Sequence, residues 1–310
     1  MANYITVDGG TTNTRVSLVL NGKIFGTKKL SLGARKGIDD KNLQRTALRE
    51  AISEFLIEAS LSPCDVERVI ASGMITSEFG LIKLDHVIAP AGIEQLHESM
   101  HETVLEDITD IPFAFIRGVK ILDNGFENTD LMRGEETEII GLQPDRNSVV
   151  ILPGSHSKII LTDSDERISQ FSTMLTGEMI YALSQDTILK DAVDLSVSEI
   201  DEEYLICGYR YAISEGLNKA LFKVRILKNV FATEKAKTYS FFLGAVLSDE
   251  IQSVLRLSPK QIFIGGKSQI KQAMATIFKN ESDINVTLYD NSTVDESVIS
   301  GAIKIFEFRK

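Results

Sequence analysis

The sequence predicts an α/β protein of two domains with related topology. A chain of 310 residues is about twice the length of an average domain. Runs of β-branched residues alternate with segments in which apolar residues recur every three or four positions, which is typical of mixed strands and helices. A unit of strand, polar glycine-containing turn and strand occurs twice, near residues 4–20 and near residues 149–162, and this indicates an internal duplication.

The first half opens with strands. Asp8–Asn13 is a glycine-rich turn after the first strand, and Asn21-Gly22 is a strong hairpin signal between the second and the third. From Asp39 to Ala59 the apolar spacing predicts an amphipathic helix that begins at Asp39 or Asp40. The predicted strands of this half are Tyr4–Val7, Val16–Leu20, Lys23–Ser31 and Val66–Ala71.

The second half repeats the opening pattern and then becomes mostly helical. Its turn is Pro153–Ser157, and a short apolar strand, Ile262–Ile264, ends at Gly265-Gly266. The other predicted elements are strands Val149–Leu152, Lys158–Thr162 and Arg167–Phe171, and helices Leu175–Leu189, Glu199–Ser214, Leu217–Asn229, Thr233–Leu255 and Val294–Phe308. The polar stretch Gln143–Asn147 predicts a boundary between domains 1–145 and 146–310, which we expect to pack across a cleft.

The composition excludes several functional classes. The 33 Lys and Arg against 44 Asp and Glu leave a net charge of −11, which disfavours nucleic acid and anionic membranes. No apolar run approaches the roughly 20 residues of a membrane span, and no signal peptide is visible. Two cysteines, Cys64 and Cys207, cannot form a disulfide framework. We expect a reduced, cytoplasmic protein with small-molecule partners, and the sequence leaves homo-oligomerisation open.

Two local motifs are better explained by structure than by function. His97–His101 fits the zinc-protease pattern H-E-x-x-H, but the segment is polar and no third ligand is indicated, so a solvated helix face is favoured over a zinc hydrolase. Gly266–Ser268 looks like the end of a phosphate-binding loop. However, Gln261 stands where that loop needs glycine, and Ile262–Ile264 is predicted as strand.

The duplicated turn is the stronger functional signal. Small residues and backbone N–H groups in tight turns bind phosphate, and an aspartate beside them can hold Mg²⁺, usually through water. Between the two turns, Glu135 and Glu136 follow Arg133-Gly134 at a predicted helix start. Acids there stabilise a helix N-terminus, or one of them acts as a general base beside an arginine that pairs with an anionic substrate.

Four segments together resemble the 2-dehydro-3-deoxygalactonokinase family, within the sugar kinase, actin and heat-shock ATPase superfamily. They are Asp8–Arg15, Met132–Thr137, Leu152–Lys158 and Met174–Glu178. The resemblance implies duplicated ribonuclease-H-like domains, the actin-like ATPase fold, with a cleft between them. It also implies phosphorylation by ATP of 2-dehydro-3-deoxygalactonate at its 6-hydroxyl in galactonate catabolism, with ATP and Mg²⁺ required. The first domain would hold the sugar acid and a phosphate turn, and the second the nucleotide. The final helix would lie at the hinge through its small residues Ser300–Ala302.

The same resemblance implies roles for individual residues. Asp8 would orient Mg²⁺, and Glu135 would take the proton of the attacking hydroxyl, with Glu136 as its rival. Arg133 would pair with the carboxylate of the sugar acid. The remaining expected contacts are Glu136, Asn13 and Arg15 for the substrate, and Gly10, Thr11, Thr12, Gly154, Ser155, His156, Ser157, Lys158, Gly265 and Gly266 for phosphate or nucleotide. The sequence leaves open whether Asn13 and Arg15 contact substrate or phosphate, which sugar or sugar acid is the acceptor, and which nucleotide is preferred.

Overall fold

The computed structural model describes residues 2–33, 41–266 and 269–309, and these form two compact units. Unit 1 contains Met1–Asp145, Asp163–Gln170 and Ser292–Lys310, and unit 2 contains Arg146–Thr162 and Phe171–Asn291. The chain therefore first passes between units at 145/146. The expectation of a second domain over 146–310 differs from this division, because the final helix clusters with unit 1.

Strands follow one another along the chain around both turns and between them. They are β1 (Tyr4–Gly9), β2 (Thr14–Leu20), β3 (Lys23–Leu30), β4 (Arg68–Gly73), β5 (Val87–Ile88), β6 (His101–Leu105), β7 (Thr109–Phe115), β8 (Val119–Ile121), β9 (Asp130–Met132), β10 (Val149–Leu152), β11 (Ser157–Thr162), β12 (Ile168–Met174), β13 (Gln261–Ile264) and β14 (Asn285–Leu288). The predicted hairpin between β2 and β3 is present: Asn21 and Gly22 have φ values of 51° and 78°, as that type of turn requires.

Helices cover the sheets and dominate unit 2. They are α1 (Lys41–Glu58), α2 (Ile93–Glu98), α3 (Glu135–Leu142), α4 (Thr176–Asp186), α5 (Glu202–Glu215), α6 (Leu217–Asn229), α7 (Lys235–Arg256), α8 (Gln269–Glu281) and α9 (Asn291–Glu307). The ends of the predicted helices of the second half differ from these by at most three residues. The expected cap at Asp39 or Asp40 lies outside the described residues. Within the described part of the chain, no helix is long and apolar enough to cross a bilayer.

The main sheets of the two units share one strand order. Unit 1 has β3-β2-β1-β4-β7-β6, with β1 antiparallel to β2 and parallel to β4. Unit 2 has β12-β11-β10-β13-β14, with β10 antiparallel to β11 and parallel to β13. In each case a three-strand meander is extended by two parallel strands beside its first strand, and unit 1 adds β6, which is antiparallel to β7. The internal duplication that the repeated turn predicts is therefore present in the topology.

Each sheet buries an apolar face. In unit 1, Leu48, Ile52 and Phe55 of α1 pack on Ile5 and Val16 of the sheet. In unit 2, the larger core is formed by strands β10, β11 and β13 against α5, α7 and α8. A smaller sheet of unit 1, with the order β5-β8-β9, leads directly into α3.

Glycines explain why α9 belongs to unit 1. A Cβ added to Gly141 in α3 would lie 1.8 Å from the carbonyl oxygen of Ser297 in α9. A Cβ added to Gly301 in α9 would lie 2.0 Å from the carbonyl oxygen of Thr137 in α3. The two helix backbones are therefore in direct contact, an approach that only residues without a side chain permit.

Candidate active site

Three glycines bring the end of β1 against the start of α3. Gly73, at the end of β4, has a φ of +80°, and a Cβ there would lie 2.5 Å from the carbonyl oxygen of Gly9. Gly134, which precedes α3, has a φ of +116°, and a Cβ there would lie 3.4 Å from the Cα of Gly73. L-residues with side chains rarely adopt such φ values. The stack brings Asp8 into electrostatic contact with Glu135.

The surroundings of Asp8 act on the charge of its carboxylate in opposite directions. Its side chain is 29% exposed and lies 3.8 Å from the guanidinium of Arg15, its partner across β1 and β2. Burial raises the pKa of Asp8, and the negative charge of Glu135 raises it further, while Arg15 lowers it. Two carboxylates that repel each other in this way fit a bound cation, because Mg²⁺ is usually held by one or two carboxylates together with substrate phosphates and water.

The adjacent acids Glu135 and Glu136 have different environments. Glu135 is half-buried, and its Oε2 accepts a hydrogen bond from the backbone N–H of Arg133 at 3.1 Å. Glu136 is fully buried, and the N–H of Gly134 donates to both of its carboxylate oxygens at 2.9 and 2.8 Å. Burial, together with the charge of Glu135, raises the pKa of Glu136 to about 8. Only Glu135 is left with an accessible carboxylate.

The guanidinium of Arg133 is occupied by groups of unit 1. Its Nη1 donates to the carbonyl and the hydroxyl oxygens of Thr76 at 2.8 and 2.6 Å. Its Nη2 donates to the carbonyl of Leu84 at 3.0 Å and lies 3.1 Å from Nε2 of His86. Burial and the charge of Arg133 lower the pKa of His86 to about 4, so the neutral imidazole accepts from the arginine. Arg133 therefore ties the start of α3 to the segment around 76–86.

The first turn, Gly10–Asn13, is closed and held against the chain that follows β3. The N–H of Gly10 donates to the carbonyl of Asn13 at 2.9 Å. The backbone of Thr11 and Thr12 lies so close to Gly33 that a Cβ there would come within 2.5 Å of it. Thr12 is exposed, and Thr11 and Asn13 are half-buried. The turn thus presents small polar residues on a fixed backbone next to Asp8.

The second turn, Pro153–His156, is packed on the start of α4. Gly154 and Ser155 are exposed. A Cβ on Gly177 would lie 2.4 Å from the carbonyl oxygen of Gly154, and the N–H of Glu178 donates to the carbonyl of Ser155 at 3.2 Å. The ring of His156 lies 3.3 Å from the carboxylate of Glu178.

The next two side chains, which were expected to contact phosphate, lie inside unit 2. The hydroxyl of Ser157 donates to Glu250, and the hydroxyl of Thr176 donates to the other oxygen of Glu250 at 2.5 Å. The ammonium of Lys158 donates to the hydroxyl of Thr173 at 2.6 Å. Both residues are at least 95% buried. The side chains of Ser157 and Lys158 therefore stabilise the second turn from inside unit 2 and are not exposed on it.

The sequence interpretation missed Glu250. It lies in α7 with 1% exposure, and burial raises its pKa although two hydroxyls donate to it. One signal was available: Glu250 lies four residues from both Val246 and Val254, on the apolar side of an amphipathic helix. An acid at such a position needs a buried partner.

The glycine pair after β13 lies beside the second turn. The N–H of Gly265 donates to the carbonyl of Ile151 at 2.9 Å. Gly266 has a φ of +73°, and a Cβ there would lie 3.0 Å from the carbonyl oxygen of Pro153. Lys271, which is 96% buried, donates to the carbonyl of Gly266 at 3.2 Å. Lys267 and Ser268 are outside the described residues. Unit 2 therefore brings Gly154, Ser155, Gly265 and Gly266 together.

The H-E-x-x-H segment is not a zinc site. His97 lies in α2, which ends at Glu98, whereas His101 begins β6, so the two imidazoles do not share a helix face. Nδ1 of His97 is 2.8 Å from the carbonyl oxygen of Ile305. Among residues 2–33, 41–266 and 269–309, no three metal-ligating side chains are grouped. The zinc alternative is therefore wrong, and so is the solvated helix face, because β6 pairs with β7.

The chain is similar in sequence and in fold to known proteins. The sequence model of the family described as 2-keto-3-deoxy-galactonokinase matches residues 8–305. The 2-dehydro-3-deoxygalactonokinase of Escherichia coli K12 is 24% identical over 261 residues, which are 82% of this chain and 80% of that protein. A crystal structure from Sinorhizobium meliloti, provisionally named 2-dehydro-3-deoxygalactonokinase, aligns over 97% of both chains at 22% identity with a TM-score of 0.80. The activator of 2-hydroxyisocaproyl-CoA dehydratase from Clostridium difficile, with bound ADPNP, aligns over 98% of this chain and 95% of its own at 10% identity, with a TM-score of 0.53.

Proposed function

Because this chain belongs to the 2-keto-3-deoxy-galactonokinase family, we propose that it transfers the γ-phosphoryl group of ATP to the 6-hydroxyl of 2-dehydro-3-deoxygalactonate. The protein is a carbohydrate kinase with the sugar kinase and actin-like ATPase fold. One observation carries the proposed mechanism: the glycine stack of unit 1 brings Asp8 close enough to Glu135 for their charges to interact, beside the first turn. Phosphoryl transfer needs positioning and neutralisation of charge, and this arrangement supplies groups for both.

Glu135 is the general base in this proposal. Its carboxylate is half-buried, and the N–H of Arg133 orients it, so it can take the proton of the attacking hydroxyl. Glu136 is unsuited to this step because it is fully buried and is held by the N–H of Gly134. Arg133 positions Glu135 through the backbone. Its guanidinium already has partners, so we assign recognition of the acceptor carboxylate to other cations.

Asp8 would hold Mg²⁺, whose charge would offset the repulsion between Asp8 and Glu135. Mg²⁺, when bound with ATP, neutralises charge on the transferred phosphoryl group. The turn residues Thr11 and Thr12 contact phosphate oxygens through backbone N–H groups and hydroxyls. Asp8, near the carboxyl end of β1, would be the residue that holds this cation, and Arg15 would limit the repulsion between Asp8 and the phosphates.

Unit 2 supplies the nucleotide contacts in this proposal. Gly154 and Ser155 are exposed in a turn that packs on α4, and Gly266 lies close against Pro153 of the same turn, so the nucleotide would lie beside this turn and the end of β13. Ser157 and Lys158 contribute indirectly by fixing the backbone of the second turn.

A screen of ATP consumption tests this function. The acceptors are 2-keto-3-deoxygalactonate, 2-keto-3-deoxygluconate and neutral hexoses, each with and without Mg²⁺, and the phosphorylated carbon is identified by NMR of the product. We expect a Mg²⁺-dependent reaction with 2-keto-3-deoxygalactonate and a 6-phosphate product. A higher kcat/KM for a neutral hexose would overturn the sugar-acid assignment, and a product phosphorylated elsewhere would overturn the position of transfer.

A further inference from the structure

A cavity of about 470 Å³ lies within unit 1, between the sheet and α9. Two neighbouring rows of side chains cross the sheet here. One row contains hydroxyls and runs from Thr6 through Ser17 to Thr27, and each residue is the cross-strand partner of the next. The other row contains charges and runs from Asp8 through Arg15 to Lys29. The face opposite to α1 is therefore polar, which is unusual for a sheet face that a helix covers.

Two hydroxyls in this cavity have no protein partner. Thr6 and Ser72 are 95% and 99% buried, and Ser72 is the parallel-strand partner of Asp8. Among the described residues, neither side chain makes a hydrogen bond, and neither oxygen is sealed off by protein. The hydroxyl of Ser17, by contrast, is paired with that of Thr27 at 2.8 Å. Buried polar groups are normally satisfied, so Thr6 and Ser72 point to a ligand.

The charged and apolar residues that line the cavity indicate which class of ligand it could bind. Lys29 is exposed at the outer end of the charged row, where it suits a carboxylate, and Arg15 lies between Lys29 and Asp8. On α9, Glu296 can accept hydrogen bonds from hydroxyls, and Val298 and Ile299 offer a surface for C–H groups. Asp8 lies two strand spacings from Lys29, roughly 10 Å, which is comparable with an extended six-carbon acid and its terminal oxygens.

We propose that this cavity binds the acceptor of the reaction, a polyhydroxylated carboxylic acid. Lys29 pairs with its carboxylate, Thr6 and Ser72 hydrogen-bond its hydroxyls, and its far end lies toward Asp8 and Arg15. The inference rests on the proposed function for the identity of the acid. The proposal also gives the acceptor carboxylate a partner other than Arg133, whose guanidinium already donates to Thr76 and Leu84.

Two adjacent lysines give a matched test of the charged row. Lys29 lines the cavity, whereas Lys28 points to the opposite face and donates to Glu54 and Glu58 at 2.6 and 2.8 Å. Lys29→Gln should raise the KM for 2-keto-3-deoxygalactonate about tenfold, with the KM for ATP unchanged, because one charge-assisted hydrogen bond is lost. Lys28→Gln should leave both KM values at the wild-type level. An equal effect of the two variants would overturn the proposal.

The hydroxyls provide a second readout. Thr6→Val and Ser72→Ala should raise the acceptor KM about 3–10-fold without lowering Tm, because no protein hydrogen bond is lost. The control is Ser248→Ala, a buried serine of α7 whose hydroxyl donates to the carbonyl of Ala245. It should leave the acceptor KM unchanged. Unchanged acceptor KM in Thr6→Val and Ser72→Ala would overturn the proposal.

Calorimetric titration with 2-keto-3-deoxygalactonate, without nucleotide, separates failure of this inference from failure of the proposed function. Binding by the wild type that is about tenfold weaker in Lys29→Gln, without any phosphorylation, would support the cavity and overturn the kinase assignment. Phosphorylation at wild-type KM in all the cavity variants would overturn the cavity alone. A wild type that neither binds nor phosphorylates the acid would overturn both.

Discussion

The two units repeat one sheet topology, but the side chains around their turns serve different purposes. At the end of β1, unit 1 has Asp8, which faces Arg15 across the hairpin. At the end of β10, unit 2 has Leu152, which faces Lys158. The two units thus share the path of the backbone at this point. Of the two, unit 1 has a carboxylate there that would hold a cation, and unit 2 has an apolar side chain.

Each unit also buries a glutamate near its turn, and the partners of the two acids differ. Glu250 of unit 2 accepts from the hydroxyls of Ser157 and Thr176, so it links β11 to the start of α4. Glu136 of unit 1 is held by the N–H of Gly134 and sits beside the half-buried Glu135. In the proposed function the acids of unit 1 take part in the chemistry, whereas the acid of unit 2 supports the second turn. Substitutions in the two units should therefore fail in different ways.

The largest effect is expected at Glu135. Glu135→Gln removes the proposed base and should lower kcat by about 10²–10⁴-fold while ATP and the sugar acid still bind. The measurement is steady-state kinetics with both substrates varied. Glu136→Gln is the control, because the same change one residue away affects a buried group, and it should reduce kcat much less. The reverse ranking would move the role to Glu136, and near-normal rates in both variants would exclude a carboxylate base.

Asp8 should show a smaller effect that depends on the metal. Asp8→Asn keeps the shape of the side chain but removes the charge that balances a cation, so activity should fall about 10–100-fold and the half-saturating Mg²⁺ concentration should rise. Titration of activity with Mg²⁺ measures both changes. In unit 2, Glu250→Gln should leave the Mg²⁺ dependence at the wild-type value. An unchanged Mg²⁺ dependence in Asp8→Asn would remove Asp8 from the metal site.

Glu250 should affect stability first. Glu250→Ala leaves the hydroxyls of Ser157 and Thr176 without an acceptor in a buried site, and this should cost about 2–4 kcal/mol of unfolding free energy. Glu250→Gln keeps an acceptor oxygen and should cost less. Urea unfolding measures the loss. We also expect a higher KM for ATP in Glu250→Ala, because the second turn loses its support. Equal stability of the two variants would contradict the structural role.

Local signals explain what could be predicted from the sequence. The strands beside both turns, the Asn21-Gly22 hairpin and the start of α3 at Glu135 all follow from residue type and spacing within a few positions. The smaller strands between residues 87 and 132 were missed. Their pairing is non-local: His101 of β6 lies opposite Phe115 of β7, and nothing within the polar segment itself reveals that partner.

At the site, too, local features could be predicted from the sequence, whereas contacts between distant residues could not. Asp8 and Glu135 could be selected as acids beside a phosphate turn and at a helix start, but their proximity depends on the packing of Gly9, Gly73 and Gly134. The family resemblance implied that Lys158 contacts phosphate or nucleotide. In the structure its ammonium contacts Thr173 on a neighbouring strand, because β11 is a central strand whose residues are mostly buried.

Glu136 should also give the stability of the protein a dependence on pH. Burial and the charge of Glu135 raise its pKa in the folded protein to about 8, from a value of 4.5 when it is exposed. Between these two values the unfolded chain releases the proton and the folded chain keeps it. The unfolded state then binds fewer protons, so the free energy of unfolding falls as the pH rises from about 5 to 8.

Glu136→Gln removes this titration, because a glutamine stays neutral in both states. The free energy of unfolding of the wild type should decline between pH 5 and 8 by up to about 1.4 kcal/mol per pH unit more steeply than that of the variant. Below pH 4 the carboxyl is protonated in both states, so the two pH profiles should run parallel there. Urea unfolding of both proteins at several pH values measures the difference.

Glu250→Gln should also make the free energy of unfolding depend less steeply on pH, because burial also raises the pKa of Glu250. However, the two hydroxyls that donate to Glu250 stabilise its charged form, so its contribution should be the smaller of the two. Parallel profiles of the wild type and Glu136→Gln from pH 5 to 8 would show that Glu136 is ionised in the folded protein, and Glu136 would then be a charged neighbour that Glu135 must tolerate.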